Sequence, residues 1–78
     1  GPIAQYDKQI EAYKQAIRIE PNHVLTWRNL GQSYYNTGAF KDAIDAFKHA
    51  IDIEPKHATT RFKLGRVYFM QGDKESAL

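Results

Sequence analysis

Apolar residues recur along this chain at alternating steps of three and four, in four consecutive blocks separated by turn residues. Ile3, Tyr6, Ile10, Tyr13 and Ile17 make up the first block and line one face of a helix predicted from about Ile3 to Glu20. Pro21 lacks an amide hydrogen and disfavours helical dihedrals at Glu20, so the helix stops there, and Asn22 is placed to cap the next one. The second block predicts a helix from Val24 to about Thr37, with Trp27, Leu30 and Tyr34 on its buried side. Gly38 follows, where a left-handed dihedral lets the chain turn. The third helix, Phe40 to Ile53, carries Phe40, Ala43, Ile44, Phe47, Ala50 and Ile51 as its apolar stripe, and Glu54-Pro55 ends it. On its polar face Lys41 and Asp45, then Lys48 and Asp52, are spaced to pair, each pair contributing about 0.2–0.5 kcal/mol. The fourth helix is predicted from Ala58 to about Gln71, with Leu64, Gly65 and Tyr68 on one face and Phe62, Phe69 and Met70 on another. Gly72-Asp73 then predicts a turn, with Asp73 as cap, and Lys74 to Leu78 a fraying stub of a further helix.

These signals repeat with a period of 34 residues. Leu30, Gly31, Tyr34, Gly38 and Ala43 return as Leu64, Gly65, Tyr68, Gly72 and Ala77, and Ile44, Ala46, Lys48, Ala50, Ile51, Ile53, Glu54, Pro55 and His57 are anticipated by Ile10, Ala12, Lys14, Ala16, Ile17, Ile19, Glu20, Pro21 and His23. The middle unit carries the full pattern W-x2-L-G-x2-Y then A-x3-F-x2-A-x4-P on Trp27, Leu30, Gly31, Tyr34, Ala43, Phe47, Ala50 and Pro55. A 34-residue period with this content resembles the tetratricopeptide repeat. The resemblance implies an all-α fold, an α-α superhelix in which antiparallel helix pairs stack as a right-handed solenoid, and the function of a non-catalytic protein-binding scaffold. Residues 3–23 then correspond to the second helix of a partial repeat, 24–57 to a complete repeat and 58–78 to a second partial repeat. Gly1-Pro2 reads as an expression-tag remnant, and the chain as a piece of something longer.

Two departures from the pattern stand out. Gln9 replaces the small residue expected at the place of Ala43, which predicts a looser contact, and Arg61 replaces the tryptophan expected at the place of Trp27, which predicts a weaker last interface. Gly31 needs its own reason, because glycine inside a helix costs about 1 kcal/mol relative to alanine. The reading is a close approach of the partner helix, with Ala43 as the matching small surface. Repeat units contact only their neighbours, so one whole and two partial repeats should leave apolar surface at both ends, and self-association through those ends is expected.

In tetratricopeptide proteins the first helices of successive hairpins line a concave groove. Carried over by position, the residues facing it are Leu25, Arg28, Asn29, Gln32, Tyr35 and Asn36 on one helix and Thr59, Phe62, Lys63, Arg66, Phe69 and Met70 on the next. Such a set suits a partner peptide. Aromatics supply contact area, amides satisfy backbone groups, and Arg28, Lys63 and Arg66 favour acidic side chains or a free C-terminal carboxylate. Asn29 and Lys63 partly match a carboxylate clamp known in the family, but Thr59 stands where a basic residue of that clamp belongs. The bland alternative is that these are solvated or end-packing residues. The competing function is structural, with the repeats joining copies of the same chain.

Composition narrows the alternatives. With 42% hydrophobic and 26% charged residues over 78 positions, the chain is in the range of a small folded domain, and its mean hydropathy of −0.62 with no long apolar run argues against membrane insertion. A net charge of +2 is far from that of a polyanion-binding tail, and most of the rings that could stack on bases fall on packing positions, so nucleic acid is not an expected partner. Cysteine is absent, which removes disulfides and thiolate ligands and leaves the compartment open, with a reducing cytoplasm as the default. His23, His49 and His57 lack the four-residue helical spacing of a zinc site and read as solvated histidines. Asp42, Asp45, Asp52 and Glu54 lie beside lysines, and Ser33 and Ser76 have no visible histidine–aspartate partners. Neither an enzyme nor a cofactor is expected.

Overall fold

The computed structural model describes residues 2–76, which form four α-helices: α1 (Pro2–Ile19), α2 (Val24–Thr37), α3 (Phe40–Ile53) and α4 (Ala58–Ser76). The described residues contain no strand. Ala77 and Leu78, which the repeat pattern places in a further helix, and Gly1 lie outside the described residues. Short connections make consecutive helices antiparallel neighbours, and contacts run α1 to α2, α2 to α3 and α3 to α4. The result is a slab 39 × 33 × 15 Å in extent.

Two apolar clusters hold the helices together. Ile10, Leu30 and Ala46 form one, with Trp27, Tyr13, Ile17 and Tyr34 against it, and join α1, α2 and α3. Ala43, Ile44, Phe47 and Val67 form the other, with Tyr34, Tyr35, Phe40 and Leu64, and join α2, α3 and α4. Tyr34 touches both. Helices α2 and α3 therefore each pack with both neighbours at once, which is what lets thin repeat units share a continuous core.

The atoms nearest the place of a Gly31 side chain belong to an aromatic ring. A Cβ built on Gly31 would lie 2.7 Å from Phe47 Cε1 and 2.8 Å from Cδ1, so the missing side chain is the seat of that ring. Ala43 is fully buried in the same cluster as that ring. The α2–α3 turn follows the expectation: Gly38 has φ +82°, its N–H donates to the Tyr35 carbonyl (3.0 Å), and the Ala39 N–H donates to the Tyr34 carbonyl (2.9 Å). This double bond pattern satisfies carbonyls that a helix end leaves unpaired.

At the other departures the structure changes the reading. Asn22 is a turn residue, and His23 holds the N-cap position of α2 without a side-chain bond to the helix backbone, its Nδ1 lying 2.8 Å from Thr26 Oγ1. His57 repeats the arrangement at the start of α4, where its Nδ1 lies 2.7 Å from Thr60 Oγ1 and accepts the Thr60 N–H at 3.2 Å. Neither histidine is a merely solvated side chain. Gln9 is not a loose end either: its Oε1 accepts a hydrogen bond from Ser33 Oγ (3.3 Å), and Ser33 is buried. One repeat later the same two positions hold Ala43 and Val67, both buried and apolar. A polar pair has replaced an apolar pair. Arg61 keeps the loop bond of the tryptophan it replaces, since Trp27 Nε1–H donates to the Pro21 carbonyl (2.7 Å) and Arg61 Nε–H to the Pro55 carbonyl (2.6 Å).

The largest correction concerns α4. It does not turn at Gly72-Asp73 but continues as helix to Ser76, and Gly38 is the one glycine with positive φ among the described residues. Asp73 therefore caps nothing. Glycine permits a left-handed turn without requiring one. At Gly38 the turn is held by α3 packing back on α2, and no described helix packs back on α4 beyond α3. The Lys41–Asp45 and Lys48–Asp52 pairs do not close to within 4.0 Å; the ion pairs among the described residues are Lys14–Glu11 and Arg28–Glu54, both at 3.8 Å.

Candidate functional site

The residues assigned to the groove fall on α2 and α4. On α4, Phe62, Arg66, Phe69 and Met70 recur at helical spacing and make one stripe, in which both phenylalanines are 70% exposed. Thr59 at its start is exposed and Lys63 beside it is half-buried. On α2, Leu25 and Asn36 are exposed, and Arg28, Asn29, Gln32 and Tyr35 are half-buried. A direct contact joins the two helices: the Arg66 guanidinium sits over the Tyr35 ring, 4.6 Å from its centroid. Tyr35 is itself braced by Phe40, with ring centroids 5.7 Å apart.

The polar members are partly engaged already. Arg28 Nη1 lies 3.8 Å from Glu54 Oε1 on the α3–α4 connection, and Gln32 Nε2 donates to Asn36 Oδ1 at 3.0 Å. Of the three cations, Arg28 thus faces a carboxylate and Arg66 an aromatic ring, while Lys63 makes no ion pair among the described residues. A guanidinium lying on a ring keeps its edge N–H donors available to a carboxylate, because the ring occupies only its face. Asn29 and Lys63 belong to consecutive first helices.

Two concave regions lie elsewhere. A cleft of about 420 Å³ opens between α1 and α3 over α2, with Lys14 and Arg18 on one wall and Asp42 and Asp45 on the other. Its floor includes Trp27, which stacks on His49 at 4.1 Å between centroids and 16° between planes. Sequence spacing puts His49 on a charged face and gives no sign of this cleft. Nothing in the spacing of Trp27 and His49 signals the stack, which depends on how α2 and α3 cross. A second hollow of about 300 Å³ lies between the Gly38–Asp42 segment and the Gln71–Glu75 end of α4, where Lys74 Nζ is 5.7 Å from the centre of the Phe40 ring.

Among the described residues no cluster of three or more His, Cys, Asp or Glu is arranged to hold a metal ion, and no helix is long and apolar enough to cross a membrane. A search of curated proteins finds no match. A family model described as TPR repeat matches residues 5–38 and again residues 31–72. Those two matches together take in most of the chain and each of the four helices described above, so the chain belongs to the tetratricopeptide repeat family.

Proposed function

We propose that this chain is a non-catalytic adaptor that binds a segment of a partner protein across the outer stripe of α4 and the adjoining face of α2. Repeats of this family generally mediate protein–protein interaction. The observation that carries the finer reading is the pair Phe62 and Phe69, both 70% exposed and flanking Arg66 on one face of α4. Exposed rings beside a cation suit a segment with apolar side chains and a carboxylate, whether from an acidic residue or a free C-terminus. On this reading residues 24–57 are a complete repeat flanked by partial units at 3–23 and 58–78, and the stripe lies on α4, which begins the last of them.

Selection of peptides from a displayed random library on the purified chain tests the reading. Enrichment of sequences combining acidic and apolar residues is expected. Substituting Lys63→Glu with Arg66→Glu should weaken the selected peptides by about tenfold or more, a typical loss for reversing a contacted charge, with helicity and mass unchanged. Peptides that bind these variants as tightly as the original chain would place recognition elsewhere. Joining of chain copies would share Phe69 with this reading, and the two are told apart at Lys63 and Arg66, which only the peptide reading uses.

A further inference from the structure

The 34-residue repeat makes α1 the counterpart of α3 and α4 the counterpart of α2. Within the chain, α3 seats on α2 through two ring contacts: Phe47 over Gly31, and Phe40 against Tyr35 with centroids 5.7 Å apart. On α4 the counterparts of those seats are empty. A Cβ on Gly65 would meet nothing within 4 Å, Phe69 in the place of Tyr35 is 70% exposed, and Tyr68 in the place of Tyr34 is 45% exposed. The rings that would fill them stand on α1, where Tyr13 corresponds to Phe47 and Tyr6 to Phe40, both half-buried. Helix α1 packs on α2 through Ile10, with Tyr13 against the same cluster, as α3 packs on α4 through Ile44 and Phe47 with Val67 in the other, and no helix among the described residues packs on α1 from its other side as α2 packs on α3.

We propose that α1 of a second copy docks on α4, with its Tyr13 over Gly65 and its Tyr6 against Phe69, repeating between chains the contact that α3 makes with α2 within one. The helix lengths favour this occupant. Helix α2 ends at Thr37, but α4 runs on through residues 72–76, past Gln71, the counterpart of Thr37. A separate helix laid antiparallel on α4 can run on beside residues 72–76, where α2 and α3 need a turn. The contact is heterologous: each added copy buries one seat and offers another, so assembly grows as an open chain and not as a closed dimer.

Light scattering of the 78-residue chain over rising concentration reads this out, starting from 9.0 kDa for one copy. The mass is expected to climb past two copies without a plateau. Gly65→Leu, which fills open space in the single chain, should leave helicity intact and abolish the climb; Gly65→Ala, favoured by helix propensity, is the milder variant and should weaken it while raising the thermal midpoint. Tyr6→Arg should block growth from the other end. Mixing Gly65→Leu with Tyr6→Arg should restore a species of two copies, since one variant still offers α1 and the other α4. A mass that stays at one copy, a mass that saturates at two, or a climb indifferent to Gly65→Leu would overturn the proposal. Gly65 lies outside the cationic stripe, so peptide capture by the Gly65→Leu variant reports on the adaptor reading separately.

Discussion

The ring of Phe47 occupies the space that a side chain on Gly31 would need, with Cε1 2.7 Å from the position of the missing Cβ. Phe47 is buried between α2 and α4 and cannot swing aside without opening the cluster it shares with Ala43, Ile44 and Val67. Gly31→Ala should therefore destabilise the fold despite the helix-propensity gain, by about 1–3 kcal/mol from overpacking. The same change at Gly65 meets open space and should stabilise by about 1 kcal/mol. Urea unfolding of the two variants checks the opposite signs, and equal shifts would refute the account of Gly31.

Gln9 and Ser33 hold between α1 and α2 the positions that Ala43 and Val67 hold between α3 and α4. Their hydrogen bond should appear in a double-mutant cycle through Gln9→Ala and Ser33→Val as a coupling of about 1 kcal/mol. The double variant should be close to the original chain in stability, because a buried polar pair is exchanged for the apolar pair already used next door. A coupling near zero would mean that Gln9 is solvated.

The carbonyls of Pro21 and Pro55 each receive one side-chain N–H, from Trp27 and Arg61 respectively. Arg61→Leu removes the donor while keeping an aliphatic stem, and should cost about 0.5–1.5 kcal/mol, at the lower end because the site is exposed. Arg61→Trp keeps a donor and should be tolerated. Thermal unfolding distinguishes the two substitutions.

His57 closes the first turn of α4 by accepting the Thr60 backbone N–H on Nδ1, which places the ring proton on Nε2. The buried Thr60 hydroxyl meets the same nitrogen. His57→Ala should cost about 0.5–2 kcal/mol, the range for losing a helix cap, and His57→Asn should recover much of it. Amide exchange should quicken in residues 58–61 of the alanine variant while the α2–α3 turn at Gly38 keeps its protection; uniform acceleration would instead mean loss of the whole fold.

The helices α1, α2 and α3 and the turn at Gly38 follow from local information, because apolar spacing, proline and a glycine with no side-chain penalty act within a few residues of themselves. The period of 34 likewise places Phe62, Arg66 and Phe69 on one face of α4 without coordinates. What fills each gap was decided by the tertiary structure. Gly31 and Gly65 are identical in pattern, yet one lies under Phe47 and the other meets open space, since a vacancy is defined by the neighbour that enters it. Gly38 and Gly72 are equally free to adopt positive φ, and only the one with a helix packed back across its turn does so. The Trp27–His49 stack, the Gln9–Ser33 bond and the Arg66–Tyr35 contact join residues on different helices, and their existence depends on crossing geometry that no local spacing encodes.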